Sequence, residues 1–188
     1  MKRLLYSSLL MMLLMMSCIG NGTGGKDDND SDSVMVPAME KPLVPIVGTV
    51  GESTTMHVLE LITDDGQSAE FDYEEAIGGA DVGDRVLAFT RDGMAVNVVN
   101  VTAMSHLWKI VDTDSKQHLE LHSDFTATSY GMDHDYVSWT CGCPAFSDTP
   151  LLFLNYGAGS NGYPLQLLTA DSLILYNEGD AIRMVCIN

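Results

Sequence analysis

The sequence predicts an all-β protein, a small five-stranded barrel followed by an eight-stranded up-and-down barrel. Three observations carry that expectation. Segments such as Ser68-Ala69-Glu70-Phe71-Asp72-Tyr73 and His118-Leu119-Glu120-Leu121-His122 alternate polar and apolar with period two, as half-buried strands do. Turn residues recur between such segments, at Asp64-Asp65-Gly66, Gly78-Gly79, Asp92-Gly93, Asp112 to Lys116 and Gly157 to Gly162. Beyond Leu43 no long amphipathic helix is visible, and roughly 146 of the 188 residues remain there, enough for one sizeable core or two small ones.

The folded part divides near Ala103 to His106, into modules 43–103 and 104–188. In the first, strands are expected at 46–50, 56–63, 69–73, 85–90 and 95–101, and five short strands suit a small barrel of the OB or SH3 type. In the second they are expected at 107–112, 117–122, 126–130, 135–140, 150–155, 164–169, 172–176 and 181–187. Successive hairpins of this length close as an up-and-down barrel, and eight strands enclose side chains or one small ligand.

The N-terminus reads as an address. Lys2 and Arg3 precede an apolar run from Leu4 to Met16, and Ser17 stands directly before Cys18. The run is shorter than the roughly 20 residues that span a bilayer, so residues 1–17 read as a secretory signal. Leu14-Met15-Met16-Ser17-Cys18 resembles the bacterial lipobox, which implies cleavage before Cys18 and acylation of that cysteine. Several acyl chains, at about 0.8 kcal/mol per buried methylene, hold a soluble domain on a membrane. Residues 18–42 then form a lipidated tether: Gly20 to Gly25 has no apolar periodicity, and Lys26 to Ser33 is charged with nothing to bury. Lys26-Asp27-Asp28 resembles the acidic export tag of Bacteroidota-type surface lipoproteins, and Asp32-Ser33-Val34 resembles their O-glycosylation site, with Ser33 as acceptor. The resemblance implies an outer-membrane protein at the cell surface, with the periplasmic face as the alternative.

The folded modules resemble the same group. Gly48-Thr49-Val50, Thr54-Thr55-Met56, Asp65-Gly66 and Val82-Gly83-Asp84 resemble a small β-module found beside lipocalin-like domains. Trp108-Lys109-Ile110, Phe125 to Tyr130, Tyr136-Val137-Ser138-Trp139 and Leu168 to Leu175 resemble the compact lipocalin-like domain itself.

Charge excludes one class of partner. Without Lys2 and Arg3 the chain keeps 9 − 2 = 7 basic and 26 acidic residues, a formal charge of 7 − 26 = −19. Nucleic acid and anionic headgroups would be repelled, so the membrane contact is the lipid. Gly157 to Gly162 has dinucleotide-fingerprint spacing, but Tyr163-Pro164 leads into a strand and not a helix, so a hairpin loop is expected.

Candidate site residues are few. Trp108, Tyr136 and Trp139 are candidates for the aromatic surface of a ligand site, with barrel-core filling as the rival that aromatic burial favours. His118, Glu120 and His122 share one face of one strand and are metal-ligand types, yet His118 and His122 would lie about 13 Å apart, and further ligands would have to come from His134 or Asp135. A solvent face is the simpler reading. With Cys18 lipidated, Cys141, Cys143 and Cys186 remain, and Cys186 is expected to pair with Cys141 or Cys143; reduced, buried thiols or a Cys-x-Cys site are the alternatives. No nucleophile with a base is visible and no cofactor is implied. The expected function is a non-catalytic binding module for a small apolar or glycan-derived ligand. An accessory protein docking on another envelope component is the alternative, and a zinc-dependent hydrolase the remote one.

Overall fold

A computed structural model describes residues 41–111, 116–144, 149–177 and 179–187. The expected signal, Cys18, Ser33 and nearly all of the tether lie outside the described residues. The described residues all belong to one compact unit. Its first described residues already join the fold: Lys41 forms an ion pair with Asp92, and Leu43 packs on the core.

The small barrel contains β1 (Val44–Val50), β2 (Val58–Ile62), β3 (Ser68–Asp72), β5 (Arg85–Arg91) and β6 (Met94–Asn100), with a two-residue strand β4 (Ala76–Ile77) beside β6. β1 pairs antiparallel with both β2 and β5, β2 with β3, and β5 with β6. Closure comes from a parallel contact between β3 and β6 at Asp72 and Met94, where the Asp72 amide donates to the Gly93 carbonyl at 3.1 Å. The ring therefore runs β1-β2-β3-β6-β5, a Greek-key closure. β4, at two residues, is too short to show a sequence period, and no strand is expected there from the sequence.

A four-residue helix, α1 (Val101–Met104), joins the barrels. Asn100 caps it by accepting from the Ala103 amide at 2.8 Å. The boundary expected after position 103 falls inside this helix.

The large barrel follows with β7 (Leu107–Ile110), β8 (His118–Leu121), β9 (Ala127–Tyr130), β10 (Tyr136–Gly142), β11 (Leu151–Tyr156), β12 (Gly159–Leu168), β13 (Ser172–Asn177) and β14 (Asp180–Cys186). Consecutive strands pair antiparallel, and β14 returns to β7. The β9–β10 seam is thinner: it holds one bridge, Thr126 with Ser138, and the Trp139 amide donating to the Phe125 carbonyl at 2.9 Å. Both barrels are thus present, and the fold is all-β as expected.

Gly157 to Gly162 makes the expected hairpin, with a shorter turn than the glycines suggest. Only Gly157 and Ala158 make the turn, and Gly159 already pairs with Tyr156. The glycines beyond it serve the sheet: a Cβ at Gly162 would stand 2.8 Å from Phe153 Cε1, and one at Gly142 2.7 Å from Phe153 Cε2. The Phe153 ring occupies the room left by glycines on both flanking strands.

β5 explains how the two barrels join. Its run Val86-Leu87-Ala88-Phe89 is buried on both faces. Val86 and Ala88 face the small-barrel core with Leu59, Leu61 and Val98, whereas Leu87 and Phe89 enter a second cluster with Met104 of α1 and with Trp108 and Leu168 of the large barrel. β1 and β6 split in the same way at Ile46 and Val47, and at Val98 and Val99. The contacts fall at one end of the large barrel, where β10 and β12 finish: Asn97 Nδ2 lies 3.0 Å from Cys143 Sγ, and a Cβ on Gly78 would stand 2.8 Å from Leu168 Cδ2. The small barrel closes the lower mouth of the large one.

Candidate functional site

Among the described residues, the large barrel presents a mouth at the end where β7, β9, β11 and β13 finish. A cavity of about 510 Å³ lies there. Its apolar lining is Ile110 at the end of β7, Ile182 near the start of β14, and Met132 from the β9–β10 loop. Its polar groups converge from β10 and β12. Asn161 Nδ2 donates to Tyr136 Oη at 3.0 Å, and Tyr136 Oη lies 3.4 Å from Tyr163 Oη. Burial, then the contact with Tyr136, pushes the Tyr163 phenol up to about 12, so it remains an O–H group at ordinary pH.

The β9–β10 loop forms one wall and is held at both ends. Ser129 Oγ donates to the His134 carbonyl at 2.8 Å and accepts from the Tyr136 amide at 2.9 Å. The His134 ring stacks on Tyr156 with centroids 4.1 Å apart and planes within 3°, and meets Tyr136 edge-on at 5.9 Å. A short tether and an aromatic stack position His134 and Met132 over the mouth.

Of the three expected aromatic ligands, only Tyr136 lines the cavity. Trp108 and Trp139 are 0% and 1% exposed, and their indole N–H groups are used internally, donating to the carbonyls of Met104 and His122, each at 2.9 Å. An aromatic group with its polar atom satisfied in the core has nothing left to offer a ligand. The residues that replace them, Asn161, Tyr163 and Gln117, carried a period-two signal: Asn161, Tyr163 and Leu165 continue the inward face of one strand.

His118, Glu120 and His122 lie on the outer face of the large barrel. His122 Nε2 is 4.0 Å from Glu120 Oε1, Glu120 Oε2 accepts from Tyr130 at 3.4 Å, and His118 Nδ1 contacts the Lys116 carbonyl at 2.8 Å. His134 is occupied by its stack on Tyr156. Among the described residues no group of three or more His, Cys, Asp or Glu converges on a metal position.

Cys141, Cys143 and Cys186 are all thiols, so the pairing expected of Cys186 with Cys141 or Cys143 is not made. The ring order explains this: β14 and β10 are four strands apart in either direction, on opposite walls, whereas a disulfide needs Cα atoms within about 7 Å. Burial pushes the Cys141 thiol up to about 12 and keeps it un-ionised.

A larger cavity, about 710 Å³, lies on the small barrel between Glu74, Glu75 and the edge of β6. Both glutamates are exposed, and its apolar lining includes Met94 and Val96 at the surface. The mouth of the large barrel is the better candidate despite its smaller volume, because its polar groups are fixed by contacts with one another and its floor is closed.

No protein-family model matches the chain, and neither a curated protein nor a solved structure does.

Proposed function

We propose that this protein is a lipid-anchored lipoprotein of the outer membrane, displayed at the cell surface, that works as a non-catalytic binding module. Its ligand enters the open mouth of the eight-stranded barrel. The observation that carries this reading is the cup at the barrel mouth: a cavity of about 510 Å³ with a mixed, mainly polar lining that includes three hydrogen-bonded side chains, above the buried leucines of the barrel core. Small-molecule sites have this size, and the fixed polar groups would orient a ligand against the apolar faces of Ile110, Met132 and Ile182. The lipobox-like stretch ending at Cys18 and the acidic spacer behind it support display on a membrane, and the charge of −17 argues against a nucleic-acid partner. The small barrel serves as the stopper of the cup and the end from which the tether leaves.

Native mass spectrometry of the protein purified from its own membrane tests the binding reading. A discrete added mass is expected in the wild type and is expected to vanish in Ser160→Trp, which fills the exposed rim of the cavity. A clean apo mass would transfer the weight to an accessory protein that docks without a ligand. Protease added to intact cells should remove the folded part, and full protection would place it on the periplasmic side.

A further inference from the structure

The lining of the cup is selective in its hydrogen-bonding character. Tyr136 and Tyr163 together bring two O–H hydrogens, and the contact between them uses one. Asn161 approaches the same pair as a donor, so it accepts neither hydrogen through Nδ2. Among the described residues the second O–H, on whichever phenol accepts in that contact, meets no acceptor, and burial keeps the Tyr163 phenol protonated. The Asn161 carbonyl oxygen, the Gln117 amide and the Ser160 hydroxyl add acceptors and donors at the same mouth.

Each alternative ligand class conflicts with one part of this arrangement. An anion needs donors with positive charge, but no Lys or Arg stands among the lining residues, and Asp133 does. A long acyl chain needs a continuous apolar channel. Leu154, Leu165 and Leu175 below the mouth are at most 1% exposed, and the small barrel seals the far end. An acyl chain would also bury the mouth's amides and hydroxyls without partners, which opposes binding. A group that both donates and accepts, beside apolar C–H faces that match Ile110, Met132 and Ile182, satisfies the whole lining.

We infer that the cup takes a neutral, polyhydroxylated ligand of small size, the chemistry of an uncharged mono- or disaccharide. This rests on the binding reading above and specifies its ligand class.

The Met132 methyl reports on the site. In the full chain carrying 13C-methyl methionine, with the Met132 resonance assigned through Met132→Leu, three probes are titrated: N-acetylglucosamine, glucose and octanoate. A saturable shift of that methyl with a saccharide, and none with octanoate, is expected. Tyr163→Phe and Gln117→Leu should each weaken the saccharide about tenfold, the loss of one hydrogen bond. A response to octanoate with none to either saccharide overturns the inference yet leaves a binding module. No saccharide response together with a clean native mass overturns both. Saccharide shifts that neither variant weakens also overturn the assignment, because the ligand then does not use these groups.

Discussion

Asn100 Nδ2 donates to Asp84 Oδ2 at 2.7 Å from a site only 2% exposed. The same amide reaches the carbonyls of Gly78 and Gly79 at 3.3 and 3.1 Å, and its oxygen caps α1 through the Ala103 amide. One side chain thereby ties two turns of the small barrel to the connector that begins the large one. Asn100→Leu leaves these buried partners unmatched and should cost about 3 kcal/mol in denaturant unfolding. Asn100→Asp sets a second carboxyl against Asp84, so its folded pKa is raised. Its stability should then be greater near pH 4 and fall as pH rises through neutrality, relative to wild type.

Gly78 and Gly79 both have positive φ, 92° and 78°, but only Gly78 is crowded. A Cβ there would meet Leu168 Cδ2 and Asn100 Cβ, whereas one on Gly79 has nothing within 4 Å. Gly79→Ala should cost about 1 kcal/mol for the left-handed backbone alone, and Gly78→Ala about 1 kcal/mol more for pushing the barrels apart. Equal losses would mean that Leu168 moves aside freely.

Core and mouth separate by mutation. Trp139→Phe removes buried volume and leaves the His122 carbonyl without its indole donor, and should cost about 2 kcal/mol without altering ligand retention. Tyr136→Phe should cost about 1 kcal/mol but abolish or weaken the mass retained in native mass spectrometry, since Asn161 loses its acceptor at the mouth. Equal effects of the two variants on retention would deny the division between core and site.

Stability should fall on the alkaline side. Burial raises Cys141 from 9.0 to about 12, and burial with the Tyr136 contact raises Tyr163 from 10.0 to about 12. The unfolded chain releases these protons first, so from about pH 9 upward it binds fewer protons than the folded state and stability declines until the folded values are passed. Melting temperatures measured from pH 8 to 11 should show this slope, and Cys141→Ala should flatten its lower part. In the native protein Cys141 should also resist iodoacetamide at pH 8, reacting only on unfolding.

Much of the fold was legible in the chain because short strands with turn residues between them are a local signal. All eight strands of the large barrel lie where alternation and turns place them, apart from the early start of β12. There the run Gly159 to Gly162 looks like a loop in isolation. It pairs as strand with β11, where the Phe153 ring fills the space that Gly162 leaves and Tyr156 lies against Gly159. The uniform burial of Val86 to Phe89 was equally present in the sequence, as an unbroken apolar run, but what lies on its second face is another barrel. No local pattern names that partner.

Local physics, read from the sequence alone, determined the β class, the positions of the longer strands, most of their turns and the acidic balance, since period, turn chemistry and charge depend on neighbouring residues only. The tertiary structure decided which aromatic residues are core and which are mouth, because Trp108, Tyr136 and Trp139 all point inward and differ only in depth along the barrel. It also decided that the cysteines stay apart, since strand order around a closed ring sets their separation. Depth and ring position are products of closure, and closure depends on contacts between residues far apart in the chain.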